Sequence, residues 1–163
     1  MESITNEDMH ESKFTLKPLT AELALSVGQN LRLDDRREVE QLSGYTAEAV
    51  CVESYYGSAY GSSIYIEAPN GKAAGVAGIS PGNIIWLLCT DVSADYPHAF
   101  VREARRWVDN LPNPYLYNYV DMRNVAHVKL LKLLKFTFLR YFIYKGVPLI
   151  EFMKLCANQQ QQP

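Results

Sequence analysis

The stretch NYVDMRNVAHVKLLKLLKF, residues 118–136, sets the reading of the whole chain. With the residues just before it, YLYNYVDM is dense in aromatic and apolar side chains and reads as a strand, while NVAHVKLLKLLKF reads as a helix. A strand feeding a helix is the unit of an α/β domain, and the flanking segments extend it in both directions. After it, TFLRYFIYKGVPLIEFMKL makes a closing hairpin whose turn is expected to hold Gly146 and Pro148. Before it, residues 97–111 place Phe100, Ala104, Trp107 and Leu111 on one stripe. Pro97 stands at the first helical position, and Arg102, Arg105, Arg106 and Asp109 lie on the other side.

Further upstream, NIIWLLCTDV is a continuous apolar run, the pattern of a central strand buried on both faces. Residues 62–79 alternate around Asn70 and Gly71 as a β-hairpin. Two helices precede it. Thr20 caps one with apolar positions Leu23, Val27 and Leu31, and Thr46 caps the other, which closes at Gly57. Between them RLDDRREVEQLSG continues as charged helix or loop to Gly44, and FTLKPLT is a first strand stopped at Pro18. The order of strand, helices, hairpin, strand, helix, strand, helix and hairpin predicts a mixed α/β domain with its sheet in the middle.

The chain has 163 residues, 48% of them apolar, enough for one real core and too few for two comfortable domains. One domain over residues 14–155 is expected, with a flexible stretch over 1–13 and a disordered glutamine-rich tail over 156–163. Sixteen basic residues against eighteen acidic ones exert no global pull toward nucleic acid or acidic lipid. Cys51, Cys89 and Cys156 are odd in number, far apart and without ligand-like company, which points to neither a disulfide framework nor a metal site and fits a reducing compartment. The acidic start carries no apolar signal region, and no run approaches the length of a membrane span.

The element order resembles the GNAT fold of the GCN-type N-acetyltransferases. The last helix of that family looks like N-x-x-A-x-x-L-Y-x-K-x-G-F, and Asn124, Leu130 and Phe136 stand at its Asn, Leu and Phe positions. A narrower resemblance is to internal virion protein A of short-tailed podophages. It is carried by Asn118, Tyr119 and Val120, then Asn124 and His127, then Leu131 and Lys132, then Gly146 and Phe152, with WLLCTD, residues 86–91, in the central strand.

The GNAT resemblance implies acetyl-CoA held by a glycine loop, R/Q-x-x-G-x-G/A, after the central strand. No glycine occurs between Gly82 and Gly146. The loop is TDVSADYPHAF, with Asp91 and Asp95 where an anion should arrive and Pro97 lacking an N–H. Those carboxylates are expected to repel the ligand and are placed to cap the helix themselves. The tyrosine that would protonate the departing thiolate is replaced by Leu131, and the motif glycine by Lys135. Tyr117, Tyr119, Tyr141 and Tyr144 should all lie near the sheet, with Tyr119 the best-aimed substitute donor. His127 is a candidate base, oriented by Asp91 or Glu67, against the plainer reading that it bonds a carbonyl. Asn124 reads as a helix cap or a ligand contact. If the cofactor binds, the resemblance implies main-chain pairing at Cys89, Thr90, Asp91 and Val92, with Arg102 and Arg105 on the phosphates. Lys129, Lys132 and Lys135 form a basic stripe read as a solvated face.

Two functions from different classes follow. The first is a phage protein of GNAT fold with a degenerate acyl-CoA site, acting through contacts with virion or assembly proteins, in the host cytoplasm or the virion. The second is a divergent N-acetyltransferase passing an acetyl group from acetyl-CoA to a host protein or small amine.

Overall fold

A computed structural model describes residues 13–59 and 61–156. A short strand β1 (Thr15–Pro18) leads into helix α1 (Ala21–Gln29), whose N-terminus is capped by Thr20 accepting from the Leu23 N–H at 3.2 Å. Helix α2 (Leu33–Ser43) ends at Gly44 with a φ of 75°, the left-handed conformation glycine takes without penalty. Thr46 caps α3 (Ala47–Gly57). Strands β2 (Ile64–Glu67) and β3 (Ala73–Ser80) form the hairpin, and β4 (Ile84–Cys89) follows antiparallel to β3. A 3₁₀ turn over Asp91–Asp95 precedes α4 (Pro97–Asp109). Then come β5 (Tyr115–Asp121), α5 (Val125–Leu133) and the closing pair β6 (Thr137–Tyr144) and β7 (Val147–Leu155).

The seven strands run in the order β1-β2-β3-β4-β5-β7-β6, so β4 stands at the centre as its apolar run predicts. Each face of the sheet carries its own core. Phe100, Leu116, Leu131 and Phe152 pack beneath α4 and α5, while Val27, Cys51, Val76 and Leu88 pack beneath α1 and α3. Gly28 lets α1 and α3 touch, because a Cβ there would stand 2.8 Å from the Glu48 Cα. No helix among the described residues is long and apolar enough to cross a membrane.

Several details depart from the sequence pattern. Pro148 lies inside β7 opposite Ile143, not in the turn, which Lys145 and Gly146 make with positive φ. The proline is tolerated because it sits next to the turn, where its ring removes little of the ladder. Leu31 falls beyond α1 and forms an isolated bridge with Thr90. Asp91 and Asp95 do not cap α4: Tyr96 takes that position without a side-chain bond, and the aspartates lie in the 3₁₀ turn, which Thr90 caps through the Val92 N–H. Trp86 and Leu87 in β4 are only partly buried, since both line a cavity described below.

The end of α5 keeps a glycine's geometry without the glycine. The Phe136 N–H donates to the Leu131 carbonyl at 3.0 Å and the Lys135 N–H to the Lys132 carbonyl at 3.1 Å, the two bonds of a Schellman stop, with Lys135 at a φ of 67°. A side chain in that region costs on the order of 1 kcal/mol. Lys135→Gly is therefore expected to raise unfolding free energy by about 1 kcal/mol, the relieved strain outweighing the added freedom of the unfolded chain. Urea denaturation of the two proteins checks this. An unchanged or lower midpoint would show that the lysine makes compensating contacts.

Candidate functional site

The site begins where the sheet opens. β4 and β5 run parallel but are paired at one register position alone, Ile84 with Tyr117. Beyond it the side chain of Asn118 enters the ladder, its Nδ2 donating to the Ile85 carbonyl at 2.7 Å and its Oδ1 accepting from the Tyr119 N–H at 2.7 Å. An amide side chain thus does the work of a peptide group, satisfying both strands while holding them apart.

In the resulting gap, the main-chain groups at the end of β4 are already paired. The Cys89 N–H donates to Asp35 Oδ2 at 2.7 Å, and the Cys89 carbonyl accepts from the Arg32 N–H at 3.0 Å. The Thr90 N–H goes back to β3 at the Ala74 carbonyl, and the Thr90 carbonyl accepts from the Ser93 N–H. Asp35 is only 1% exposed, and its other oxygen accepts from Arg32 Nη2 at 3.0 Å and Asn124 Nδ2 at 2.7 Å. Arg32 Nη2 also donates to Asn124 Oδ1 at 2.6 Å. The start of α2 is thereby tied to the central strand and to the start of α5 by one buried carboxylate.

A cavity of about 230 Å³ lies in the same opening, mostly apolar, with Glu38, Trp86, Leu87, Tyr119, His127 and Leu131 among its lining. Glu38 accepts from the buried Asp121 N–H at the end of β5. Burial lifts its carboxyl to about 7, with the neighbouring charges of Asp35 and Asp121 adding to the rise against the stabilising Asp121 N–H. For Asp121 burial acts the same way, but the bonds from Arg123, one at 2.7 Å, outweigh it and hold the group below its ordinary value.

His127, half-buried, reaches the cavity, and desolvation pushes its imidazole below the usual range while Asp35 pulls the other way and Arg32 adds to the lowering. The orienting groups expected from the sequence stand elsewhere: Glu67 bonds Lys17 on β1 at 2.8 Å, and Asp91 is exposed on the 3₁₀ turn. Asn124 occupies the cap position of α5, yet its side chain caps nothing, because it is wholly committed to Asp35 and Arg32. The Tyr117 hydroxyl donates to Glu151 at 2.6 Å and accepts from the Tyr119 hydroxyl at 2.9 Å, and the Tyr119 ring meets Phe142 edge-on. Arg105 donates to the Leu133 carbonyl at 3.0 Å, and Arg102 is exposed on α4. Val92 donates its N–H to Thr90 Oγ1 at 3.2 Å. The Cys89 thiol is buried, which raises its pKa, so it is no thiolate nucleophile. Leu131 presents an alkyl group to the cavity at the position of the family's tyrosine.

Arg32, Asp35 and Glu38 escaped the reading of the sequence. The signal was present in α2: Asp35, Glu38, Val39 and Leu42 share one helical stripe, so the two carboxylates lie on the face that the helix's apolar residues bury.

No family model and no curated protein matches the chain. Solved structures do. A GNAT-family acetyltransferase from Bacillus anthracis superposes with a TM-score of 0.64 at 9% identity, covering 88% of this chain and 95% of its own. The fold is that of the GNAT acetyltransferases. A putative phosphinothricin N-acetyltransferase gives 0.63 at 16% identity over 89% of this chain and 99% of that one. The putative acetyltransferase yncA from Salmonella typhimurium, solved with its cofactor acetyl-CoA, gives 0.54 at 12% identity over 92% and 97%.

Acetyl-CoA is a poor match for the residues this chain places in the GNAT cleft. The main-chain groups at 89–90 are bonded internally, the following turn is acidic and free of glycine, and the helix after it starts with a proline. Among the described residues no group of His, Cys, Asp and Glu is arranged to hold a metal.

The raised Glu38 carboxyl has a consequence for stability. Below 4.5 it is protonated folded or unfolded. Between 4.5 and about 7 the unfolded chain releases the proton while the folded one keeps it, so stability falls as pH rises and levels off above 7. Glu38→Gln is expected to match the parent near pH 4 and to exceed it by about 3 kcal/mol at pH 8. Urea unfolding of both proteins across that range measures the difference, and a gap independent of pH would place the Glu38 carboxyl in water.

Proposed function

We propose that this chain is a GNAT-fold protein that works through protein contacts, its acyl-CoA cleft closed by its own residues, in the assembly or the interior of a phage virion. The observation that carries the first half is Asp35 on the Cys89 N–H, with Arg32 on the Cys89 carbonyl: at the end of β4 the main-chain groups that could pair with pantetheine are spent. The aspartates of the 3₁₀ turn and the alkyl side chain of Leu131 support it. The virion role is supported by the sequence resemblance to internal virion protein A across Asn118, Asn124, His127, Leu131, Gly146 and Phe152. The matched structures, at 9–16% identity, speak for the fold and leave the activity open.

Calorimetric titration of the purified protein with acetyl-CoA and with CoA tests the first half. No binding is expected up to millimolar ligand, whereas micromolar binding by the parent chain would overturn it. The second half predicts the protein in purified particles and a loss of infectious yield on deletion of its gene. Full infectivity of particles lacking it would refute the virion role.

A second reading, a divergent N-acetyltransferase acting on a host protein or small amine, is favoured by Glu38. A carboxyl near 7 facing an apolar cavity is poised to take a proton from an amine at neutral pH. The named acetyltransferase neighbours make that reading reasonable. It predicts amide formation from acetyl-CoA and a panel of amines, with Glu38→Gln lowering kcat/KM by roughly 100-fold at pH 7. Turnover that Glu38→Gln leaves untouched would remove Glu38 from the chemistry.

A further inference from the structure

The two edges of the sheet are built differently. β1 is four residues long, ends in Pro18 and carries Lys17 paired with Glu67, the features that keep an edge from adding strands. At the other edge β6 has eight residues and, among the described residues, is hydrogen-bonded to β7 alone. Leu139, Tyr141, Ile143 and Tyr144 are 48%, 62%, 77% and 52% exposed. The only charge on the strand, Arg140, is turned back on its own molecule, bonding Glu151 at 3.1 Å and lying 4.7 Å over the Phe142 ring. No proline or unpaired charge protects this edge. An eight-residue apolar edge left open in water is a template for strand addition.

We infer that β6 pairs antiparallel with β6 of a second copy of this chain, continuing the sheet across a two-fold axis at Tyr141. The sequence of the strand selects this occupant. In an antiparallel pair related by a two-fold, residues opposite one another sum to a constant, and side chains share a face only when that sum is even. An axis at Arg140 sets arginine against arginine, which is destabilising. An axis at Phe142 pairs only the end of the strand and sets Leu139 against Lys145. The axis at Tyr141 sets Tyr141 against its twin, puts Arg140 of each copy against Phe142 of the other, and brings Ile143 alongside Leu139 at the bulge between Phe138 and Arg140.

The area sets the strength. At roughly 200 Å² for a tyrosine side chain, the exposed parts of Tyr141 and Tyr144 offer about 230 Å² per copy. Leu139 and Ile143 bring the total to about 400 Å², half of the roughly 800 Å² each partner gives a standard interface. The dimer is therefore a concentration-dependent one, with Kd in the micromolar range. It is independent of the reading of the cleft, which lies between β4 and β5, two strands away from β6.

Sedimentation equilibrium of the full chain is expected to show monomer and dimer exchanging over micromolar concentrations. Ile143→Lys, at an exposed position, should leave the circular dichroism spectrum unchanged and weaken association about tenfold or more. In Tyr141→Cys, a short bis-maleimide, which alkylates one thiol at each end, should link two copies, whereas Thr137→Cys, away from the axis, should link poorly. A chain that stays monomeric to several hundred micromolar overturns the proposal. So does a dimer indifferent to Ile143→Lys, or one that cross-links better at Thr137→Cys than at Tyr141→Cys.

Discussion

The side-chain amide of Asn118 is the constraint on which the rest of the site depends. Two parallel strands left to themselves continue their ladder, because an unpaired buried peptide group costs more than the bond that would satisfy it. Asn118 removes that drive by giving the Ile85 carbonyl a donor and the Tyr119 N–H an acceptor from one planar group. The sheet then opens with these two groups satisfied, and the opening exposes the far end of β4 with its Cys89 groups. Everything described in the cleft occupies space made by that substitution. Leucine in its place would leave both groups without these partners, and aspartate would satisfy only one of them.

What fills the space is a carboxylate, and its energetics explain why the arrangement is tight. A buried charge is tolerated when each of its lone pairs is used. Asp35 has the Cys89 N–H on one oxygen and Arg32 and Asn124 on the other, and the arginine neutralises it. Three elements distant in sequence are thereby fixed to one another through a polar hub. A ligand competing for the Cys89 N–H would have to displace an ionised group and leave Arg32 and Asn124 without their acceptor. That penalty, about 3–5 kcal/mol for a buried pair losing one partner, is several powers of ten in affinity. Holding the Cys89 N–H against a competitor is thus an energetic property of the hub as well as a matter of shape.

The fold was legible in the sequence where local chemistry and burial agree. Thr20 and Thr46 cap the helices they precede, Asn70 and Gly71 turn the hairpin, and Pro97 opens α4 with Phe100 facing the core. For the site, the sequence shows that no glycine follows β4 before Gly146 and that leucine stands at position 131. The site's actual contents were not legible there. In LDDRREVEQLS six of eleven residues carry charge, and charged residues in a helix normally mark a solvated face. Only Val39 and Leu42 say which side is buried, and two residues are too few to outweigh the charges. Asn124 misled for the opposite reason: its local role, capping, is the usual one, and its side chain is engaged instead by Asp35 and Arg32, some ninety residues earlier.

The last helix shows how backbone and chemistry separate in this fold. Its motif has a tyrosine for the reaction and a glycine for the turn, and this chain has replaced both. Leu131, where the resembling motif has tyrosine, is buried and packs in the core, so here the position serves stability. The glycine's replacement, Lys135, has not been excused from its geometry: it holds the left-handed conformation at its own cost, because the Schellman bonds and the entry of β6 both require the chain to turn there. A reaction can be lost one side chain at a time without the fold objecting. A turn that delivers a strand cannot, since β6 and its pairing with β7 stand on it. The strained lysine marks the part of the helix end that serves the architecture.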